Sequence, residues 1–331
     1  MTHPPTPLTA RRRAAGGPAH RDCITLPTHR GRARRTGAAT YGRVVCARTS
    51  LVTTDDGVAL AVHEVGPPTA PVTVVFCHGL CLDMRSWRYQ RAGLSRMWGA
   101  EVRMVFYDQR GHGASADGHP RDCTIERLGR DLSTVLDVVA DGRRVVLVGH
   151  SMGGMAILAY LGAHPHVVGT RVIGVGLIAS AADAVARAGL GRALRVPVIE
   201  ALRLATSGPD PLVQGGWRLA RLLAEPLVGG GVTPTRLRAR AVVSFLSAIR
   251  LYDESRTLAL LATVPALVLC GTDDPLTPAT HSMRLADSLC DAELVMVDGA
   301  RHEVTTTHPH IVCCAIARLL TRAVDRCREP A

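Results

Sequence analysis

The sequence predicts an α/β fold, in which a mostly parallel sheet carries helices on both faces and a helical cap is inserted. Six short runs of β-branched and other apolar residues are typical of strands that are buried on both faces. Segments with apolar residues at three- and four-residue steps lie between most of these runs, as expected for helices. Because strands and helices alternate, we expect a parallel sheet with right-handed crossovers.

The elements are assigned in chain order from local patterns. Residues 43–66 predict two antiparallel strands around the hairpin signal Asp56-Gly57. Continuous apolar runs then predict buried strands at 72–79, 102–111, 144–151, 172–180, 266–274 and 293–302. Helical spacing of apolar residues predicts helices at 124–141, 152–163 and 309–324.

Residues 182–263 interrupt this alternation. They carry Leu, Ala and Arg at helical spacing, with breaks at several prolines and at the glycines 229–231. A helical cap over the carboxyl edge of the sheet explains the segment better than another strand–helix unit, so the core is predicted to comprise 49–181 and 264–326. Trp217, midway through the cap, is expected either to influence the preferred substrate length or to pack between cap helices.

The net charge of +11 is concentrated at one end of the chain. All 39 basic residues are arginines, and residues 1–48 hold ten of them beside a single acid, Asp22. This segment is rich in Pro, Gly and Arg and lacks apolar periodicity, so it is predicted to be a disordered extension. The rest of the chain is nearly neutral and only 3% of residues are aromatic, so we expect no nucleic-acid partner.

The sequence also bears on the cellular compartment. The apolar stretch 172–186 is too short to span a membrane and contains Asp183, and no apolar segment of export-signal length follows the N-terminal arginines. The ten cysteines show no C-x-x-C spacing, and some lie inside apolar runs, as Cys77 and Cys270 do. We therefore expect a cytoplasmic protein with reduced, buried thiols and no membrane span.

The segment from Gly149 to Gly153 fits the pattern G-x-S-x-G where a predicted strand meets a predicted helix. Such an abrupt turn holds the middle residue in an unfavourable backbone conformation, and larger side chains at the glycine positions would collide with neighbouring backbone. The hydroxyl of Ser151 would then be exposed near a helix N-terminus, where the dipole favours negative charge. Ser151 is the predicted nucleophile; the alternative is a purely structural turn.

A serine nucleophile needs a base, which is in turn oriented by an acid. Two candidates follow Ser151 in the chain, each at the end of a predicted strand: Asp274 and His302. Loops at the same edge of a parallel sheet converge, so these side chains are expected to meet. Asp273 competes for the role of the acid, but Asp274 is the residue followed by Pro275 and is preferred.

Ester cleavage by a serine also requires donors for the oxyanion of the tetrahedral intermediate. The chain is expected to curl over the sheet after Gly79, which makes the backbone N–H groups of Leu80 and Met152 the predicted donors. Cys81 lies close by, but a catalytic role for it is disfavoured. Three histidines beside glycines are expected to shape turns by hydrogen bonding: His78, His112 and His150.

Five motifs in this order resemble the α/β-hydrolase family: His78-Gly79, DQRGHGAS at 108–115, GHSMGG at 149–154, GTDDPLTP at 271–278 and GARHE at 299–303. The similarity covers about residues 50–325 and points to the branch with esterases, lipases, haloperoxidase-like perhydrolases and carbon–carbon bond hydrolases. It implies the triad Ser151, Asp274 and His302, no cofactor, and a structural role for Asp108 and Arg110. The sequence departs from the epoxide hydrolases and dehalogenases of this family, which carry Asp at the position of Ser151.

The expected activity is hydrolysis of a small-molecule carboxylic ester with an apolar acyl or alkyl group, through an acyl-enzyme. The same triad could instead transfer the acyl group to another acceptor, act as a perhydrolase or cleave a carbon–carbon bond. A non-catalytic ligand-binding module is the alternative from another class, but it has less need of serine, aspartate and histidine together. The acyl chain length is not encoded in any of these motifs, because cap side chains set specificity.

Overall fold

The computed structural model describes residues 47–140, 142–183, 196–206, 208–209, 213 and 239–328. The strands in these residues are β1 (Ala47–Thr53), β2 (Ala59–Val65), β3 (Val72–Cys77), β4 (Val102–Tyr107), β5 (Arg144–His150), β6 (Val172–Ile178), β7 (Ala266–Gly271) and β8 (Ala292–Val297). The helices are α1 (Arg88–Trp98), α2 (Ile125–Val139), α3 (Met152–Ala163), α4 (Val196–Ala205), α5 (Ala239–Leu251), α6 (Ala279–Asp287), α7 (Val304–Thr307) and α8 (Pro309–Arg326). Short 3-10 segments lie at Met84–Trp87, Pro120–Asp122, Pro165–Val167 and Ser255–Thr263.

The strands form one sheet in the order β1-β2-β4-β3-β5-β6-β7-β8. Strand β2 runs antiparallel to both of its neighbours, β1 and β4, and every other neighbouring pair is parallel. The turn between β1 and β2 holds Gly57 at a φ of +82°, a conformation that glycine adopts without steric cost. A mostly parallel sheet with flanking helices confirms the predicted α/β fold.

Alternate residues of the central strands pack on opposite faces of the sheet, because successive side chains of a strand point to opposite sides. In β3, Val74 and Phe76 belong to an apolar cluster with residues of α1 and α8. Val75 and Cys77 belong to a second cluster with residues of α2 and α3. The strand is therefore buried on both faces, which explains why it consists of a continuous apolar run instead of an alternating pattern.

The predicted helices correspond closely to the observed ones. Helix α3 occupies the predicted residues 152–163, and α2 lies within the predicted 124–141. The hydroxyl of Thr124 caps α2 by accepting a hydrogen bond from the N–H of Arg127 at 3.1 Å. Helix α8 continues past its predicted end at 324 to Arg326.

The strands at the carboxyl edge end earlier than the sequence predicts. The predicted strands 266–274 and 293–302 correspond to β7 and β8, and both are shorter than predicted. Beyond these two strands, the loops that follow them are hydrogen-bonded to each other: the N–H of Asp273 donates to the carbonyl of Ala300 at 3.0 Å. The last residues of both predicted strands therefore lie on adjoining loops at this edge.

Buried charges hold the loop that follows β4. The carboxylate of Asp108 accepts a hydrogen bond from the N–H of Ala114 at 2.8 Å. Arg110 is fully buried and forms ion pairs with Asp56 at 2.9 Å and with Asp131 at 2.6 Å. A buried guanidinium without such partners would be strongly destabilising. These contacts agree with the structural role expected for Asp108 and Arg110.

Part of the segment predicted as a cap, 182–263, is described. Helices α4 and α5 contact each other, and α5 also contacts α2. Phe245 and Ile249 of α5 belong to a third apolar cluster, which includes Leu128 of α2 and Met152 of α3. Helix α5 is thus joined to the residue that follows Ser151 through a continuous set of buried apolar side chains.

Some sequence-based expectations fall outside the described residues. Trp217 is one of them, so the choice between a substrate contact and packing within the cap stays open. Residues 1–46 of the predicted extension 1–48 are also outside. The domain boundaries accordingly stay predictions.

The described residues also bear on membrane spans and disulfides. None of the helices found in them has both the length and the apolar character that crossing a membrane requires. Cys77, Cys123 and Cys270 are buried thiols that form no disulfide. Burial raises the pKa of Cys77 to about 12, so this thiol stays protonated at neutral pH.

Candidate active site

Ser151 lies between the last residue of β5 and the first residue of α3. Its backbone has φ +52° and ψ −120°, a conformation that residues other than glycine rarely adopt. The N–H of Ser151 donates to the carbonyl of Ile178 at 2.9 Å, and its own carbonyl accepts from the N–H of Gly154 at 2.9 Å. The half-buried serine thus has the strained turn conformation that the motif predicts.

The glycines on either side of Ser151 are required by close packing. A Cβ atom at Gly149 would clash with the backbone of Gly153 and Gly154 in α3. A Cβ atom at Gly153 would clash with the carbonyl of Cys77 at the end of β3. Only glycine fits at these two positions, in agreement with the interpretation of the motif as a tight strand–helix turn.

Asp274 and His302 are hydrogen-bonded, with 2.8 Å between Oδ2 and Nδ1. Since a carboxylate accepts, Nδ1 of His302 carries the proton and Nε2 has a free lone pair. Oδ1 of Asp274 accepts from the N–H groups of Leu276 at 2.8 Å and Thr277 at 2.9 Å. Burial acts to raise the pKa of Asp274, but the hydrogen bonds from His302 and Thr277 outweigh it and hold the pKa below its ordinary value.

Asp273, the competing acid, has a different environment. Its side chain is exposed, whereas Asp274 is buried. Its carboxylate accepts a hydrogen bond from the hydroxyl of Thr272 at 3.3 Å. The fold therefore brings Asp274 to His302 and leaves Asp273 at the surface.

His150 connects the Ser151 turn to the His302 loop. Its Nε2 donates to the carbonyl of His302 at 2.9 Å, and the two rings lie 4.9 Å apart between centroids. Burial, together with the nearby His302, lowers the pKa of His150 to about 3. On the other side, a Cβ atom at Gly79 would lie 3.2 Å from Cβ of Ser151. The loop after β3, the Ser151 turn and the His302 loop thus meet at one place.

The two predicted oxyanion donors belong to two of the segments that meet here. Leu80 directly follows Gly79, and Met152 is the first residue of α3. Within the described part of the chain, neither backbone N–H donates a hydrogen bond to a protein acceptor. The first amides of a helix have no intrahelical acceptor, which accounts for the unpaired N–H of Met152. The donor role of both amides stays a prediction.

Two hydroxyl groups contribute to this arrangement that the motifs did not single out. Oγ1 of Thr277 lies 2.8 Å from Oδ2 of Asp274 and 3.0 Å from the carbonyl of Ala179. Oγ of Ser180 donates to the carbonyl of Ser151 at 2.9 Å. A threonine three residues after an aspartate is a local signal for such a contact, whereas nothing in the sequence around Ser180 indicates its partner.

The sequence profile of the family described as "Serine aminopeptidase, S33" matches residues 68–308. Among curated relatives, the "Putative carbamate hydrolase RutD" of Pseudomonas savastanoi pv. phaseolicola is 26% identical over 75% of this chain and 93% of its own length. The protein of the same name from Variovorax paradoxus is 29% identical over 73% of this chain and 90% of its own length.

Solved structures agree with this assignment. A hydrolase from Pseudomonas aeruginosa PA01 is similar with a TM-score of 0.64 and 26% identity, over 82% of this chain and 98% of that chain. The enol-lactonase from Burkholderia xenovorans LB400 is similar with a TM-score of 0.63 and 26% identity, over 83% of this chain and 100% of that chain. The protein is therefore an enzyme of the α/β-hydrolase class and belongs to the serine aminopeptidase S33 family.

Proposed function

We propose that the enzyme hydrolyses small-molecule carboxylic esters with Ser151 as nucleophile, His302 as base and Asp274 as the orienting acid. The observation that carries this proposal is the 2.8 Å hydrogen bond between buried Asp274 and Nδ1 of His302, beside a serine held at φ +52°. This bond leaves Nε2 of His302 as the proton acceptor, which is the tautomer that a serine nucleophile requires.

The reaction proceeds in two halves. Oγ of Ser151 attacks the ester carbonyl while Nε2 of His302 takes its proton, and Asp274 stabilises the resulting imidazolium. The oxyanion accepts hydrogen bonds from the N–H groups of Leu80 and Met152. The tetrahedral intermediate collapses, His302 returns the proton to the leaving alkoxide, and the acyl group stays on Ser151. Water then attacks the acyl-enzyme while His302 takes a proton from the water. The bond to Oγ of Ser151 breaks, His302 returns the proton to Oγ, and the carboxylic acid is released.

The electrostatic surroundings favour the charges that develop in this reaction, negative on the oxyanion and positive on His302. Oγ of Ser151 is adjacent to the N-terminus of α3, whose dipole stabilises negative charge on the developing oxyanion. The ring of His150, packed against His302, has a pKa of about 3 and stays neutral near pH 7. No positive charge on His150 therefore opposes protonation of His302 during the attack.

An apolar substrate group is supported by what surrounds the donors. Met152 belongs to the third apolar cluster, and Leu80 packs against it. The cluster reaches Met155 of α3 and Phe245 of α5. Apolar acyl or alkyl groups bind favourably next to such side chains. The similarity to the enol-lactonase also supports ester substrates, because an enol-lactone is a cyclic ester.

Carbamate hydrolysis is the second candidate function. It is favoured by the relatives named as carbamate hydrolases, which are 26–29% identical. The same nucleophile would attack the carbamate carbonyl and pass through a carbamoyl-enzyme. Nitrogen donation makes that carbonyl less electrophilic, so an enzyme for carbamates would show a smaller preference for the ester of a matched pair.

The test combines labelling of the serine with matched substrates. A fluorophosphonate probe should label the wild-type protein at Ser151 and leave Ser151→Ala unlabelled. A series of p-nitrophenyl esters from acetate to laurate, with p-nitrophenyl carbamates of matched size, should show a higher kcat/KM for the esters. A kcat/KM for the carbamates that approaches or exceeds that of the matched esters would favour the second candidate, because the carbamate carbonyl is intrinsically less reactive. Absence of both labelling and turnover would refute ester hydrolysis by Ser151. Product analysis with added alcohol or peroxide would reveal acyl transfer or perhydrolysis.

A further inference from the structure

The loop that carries Leu80 has a backbone conformation that needs external support. Residues 79–82, named here the oxyanion loop, form a turn in which the N–H of Leu82 donates to the carbonyl of Gly79 at 3.2 Å. Cys81 has a φ of +65°, in the left-handed region that side chains other than glycine disfavour by about 1 kcal/mol. The N–H of Leu80 belongs to the peptide whose carbonyl is that of Gly79, which lies 2.8 Å from Nδ1 of His78. The direction of the Leu80 amide therefore depends on this contact and on contacts that hold Cys81.

His112 provides one of these contacts. The N–H of Cys81 donates to Nε2 of His112 at 3.3 Å, and Nδ1 of His112 lies 2.9 Å from the carbonyl of Arg110. A carbonyl only accepts, so Nδ1 carries the proton and Nε2 is the acceptor. A neutral ring thus satisfies both partners. Burial, with His78 nearby, lowers the pKa of His112 to about 3, so the ring keeps this form near neutral pH.

The same ring is packed against helix α5. The ring centroids of His112 and Phe245 are 5.6 Å apart, and both side chains are buried. One helical turn earlier, Ala241 lies against the neighbouring backbone, because a Cβ atom at Gly111 would come within 3.2 Å of its methyl group. His112 is therefore enclosed between α5 and the oxyanion loop.

The backbone of His112 has little freedom to move. Its loop is anchored on one side by the hydrogen bonds of Asp108 to Met84 at 2.7 Å and to Ala114 at 2.8 Å. It is anchored on the other side by the buried ion pair of Arg110 with Asp131 at 2.6 Å. The remaining freedom is rotation of the imidazole about its own side-chain bonds, and packing against Phe245 restricts that rotation.

We propose that His112 is a positioning residue that links helix α5 to the oxyanion loop. Packing against Phe245 restricts rotation of the ring, and Nε2 of the ring accepts from the N–H of Cys81. This contact helps to keep the preceding Leu80 amide directed at the oxyanion. The proposal rests on the proposed function for its catalytic consequence, whereas the physical link between α5 and the loop does not require it. Substrates that displace α5 would accordingly weaken one oxyanion contact.

Four variants separate the hydrogen bond from simple packing. His112→Leu removes the acceptor, and His112→Gln keeps an acceptor near the position of Nε2. Phe245→Ala removes the restraint on the ring, and the double variant His112→Leu/Phe245→Ala completes a cycle. Melting temperatures are measured for all four, so that a variant that fails to fold is recognised. If Phe245→Ala does not fold, Phe245→Leu takes its place in the cycle.

The first readout is independent of turnover. Hydrogen exchange of a peptide covering residues 79–83 should become roughly 3- to 10-fold faster in His112→Leu and in Phe245→Ala, as expected when one hydrogen bond is lost. His112→Gln should keep most of the protection. In the double variant, exchange should be no faster than in His112→Leu alone. Unchanged exchange in Phe245→Ala, or multiplicative effects in the double variant, would overturn the link.

The second readout is the catalytic consequence. His112→Leu should lower kcat for p-nitrophenyl acetate by about 10- to 100-fold with little change in KM, since loss of a whole oxyanion donor costs about 10²–10³-fold. His112→Gln should recover most of this loss. A folded His112→Leu with wild-type kcat would overturn the positioning role while leaving ester hydrolysis intact. A wild-type protein without turnover that still shows coupled exchange would refute the proposed function and keep the link.

Discussion

The two sides of Ser151 are held by different kinds of contact. On the acid–base side, Asp274 and His302 are joined side chain to side chain at 2.8 Å. On the oxyanion side, the candidate donors are backbone amides of Leu80 and Met152, whose directions follow from a turn and from the start of a helix. A side-chain contact disappears when the residue is replaced, whereas a backbone N–H is present with almost any residue and depends on conformation instead.

This difference teaches where each side is vulnerable. We expect the acid–base side to respond to local changes of residue identity with large losses of rate. We expect the oxyanion side to respond to packing changes at a distance with smaller losses, as at His112 and Phe245. The predictions below test this contrast from the largest expected effect to the smallest.

Removal of the nucleophile or the base should have the largest effect. Ser151→Ala and His302→Ala should each lower kcat for p-nitrophenyl acetate by about 10⁵- to 10⁶-fold, because the residues of a triad act as a unit. The Ser151 hydroxyl contributes little packing, so the melting temperature of Ser151→Ala should stay within about 3 °C of the wild type. Near wild-type turnover in Ser151→Ala would assign the nucleophile to another residue.

The aspartate pair provides a matched comparison on the acid–base side. Asp274→Asn should lower kcat by roughly 10²–10⁴-fold, since the charge that orients and stabilises the protonated His302 is lost. Asp273→Asn, a change of the same chemistry at the neighbouring exposed position, should change kcat by less than about 2-fold. Both are measured with the same ester at saturation. The reverse ranking would transfer the acid role to Asp273.

A smaller effect is expected from the hydroxyl of Thr277, which contacts the carboxylate of Asp274. Thr277→Val keeps the shape of the side chain but removes the contact at 2.8 Å to Asp274, and should lower kcat about 10-fold with KM unchanged. Thr277→Ser restores the hydroxyl and should return most of the rate. If Thr277→Ser is as slow as Thr277→Val, the methyl packing and not the hydroxyl is responsible.

The smallest effect concerns stability in mild acid. Burial is the main cause that lowers the pKa of His78 to about 4 and of His112 and His150 to about 3. Below about pH 6.5 these three imidazoles bind protons in the unfolded chain but stay neutral in the folded protein. The free energy of unfolding therefore keeps its full value above that pH and falls as the pH decreases. Each histidine should lower the free energy of unfolding by up to about 1.4 kcal/mol for each pH unit below this value.

Urea unfolding at pH 7.5 and pH 5.5 measures this dependence. His112→Gln should unfold with a smaller difference between the two pH values than the wild type, because one buried titrating group is absent. His166→Gln is the matched control, since His166 is exposed and its replacement should leave the difference unchanged. An equal pH dependence in the wild type and His112→Gln would show that the ring is not held neutral by the fold.

The sequence predicted the sheet and three of the helices that flank it, α2, α3 and α8, because their signals are local. Continuous apolar runs mark strands that are covered on both faces, and the two clusters around Val74 and Val75 are the reason for those runs. The strand ends were predicted less well. The predicted ranges run on into mostly polar residues, 272–274 after β7 and 298–302 after β8. The loop-to-loop bond from Asp273 to Ala300, which replaces sheet pairing there, depends on a partner far away in the chain.

The candidate site divides in the same way. Ser151, Asp274 and His302 could be proposed from the sequence because the proposed chemistry demands those side chains at strand ends, and the fold brings the last two within hydrogen-bond distance. The contacts of His112 could not be found, because its partners Cys81 and Phe245 are distant in sequence. Packing of residues from three separate segments is a property of the folded chain that no local pattern carries.

The turn at Ser151 has a consequence for the order in which the protein folds. Its backbone conformation is unfavourable and is held by the carbonyl of Ile178, by the hydroxyl of Ser180 and by the close approach of Gly153 to Cys77. These contacts come from β6 and β3, so the turn is stable only after three strands have assembled. In a partly folded or newly synthesised chain the candidate nucleophile therefore lacks this turn conformation, which it reaches only once these three strands have assembled.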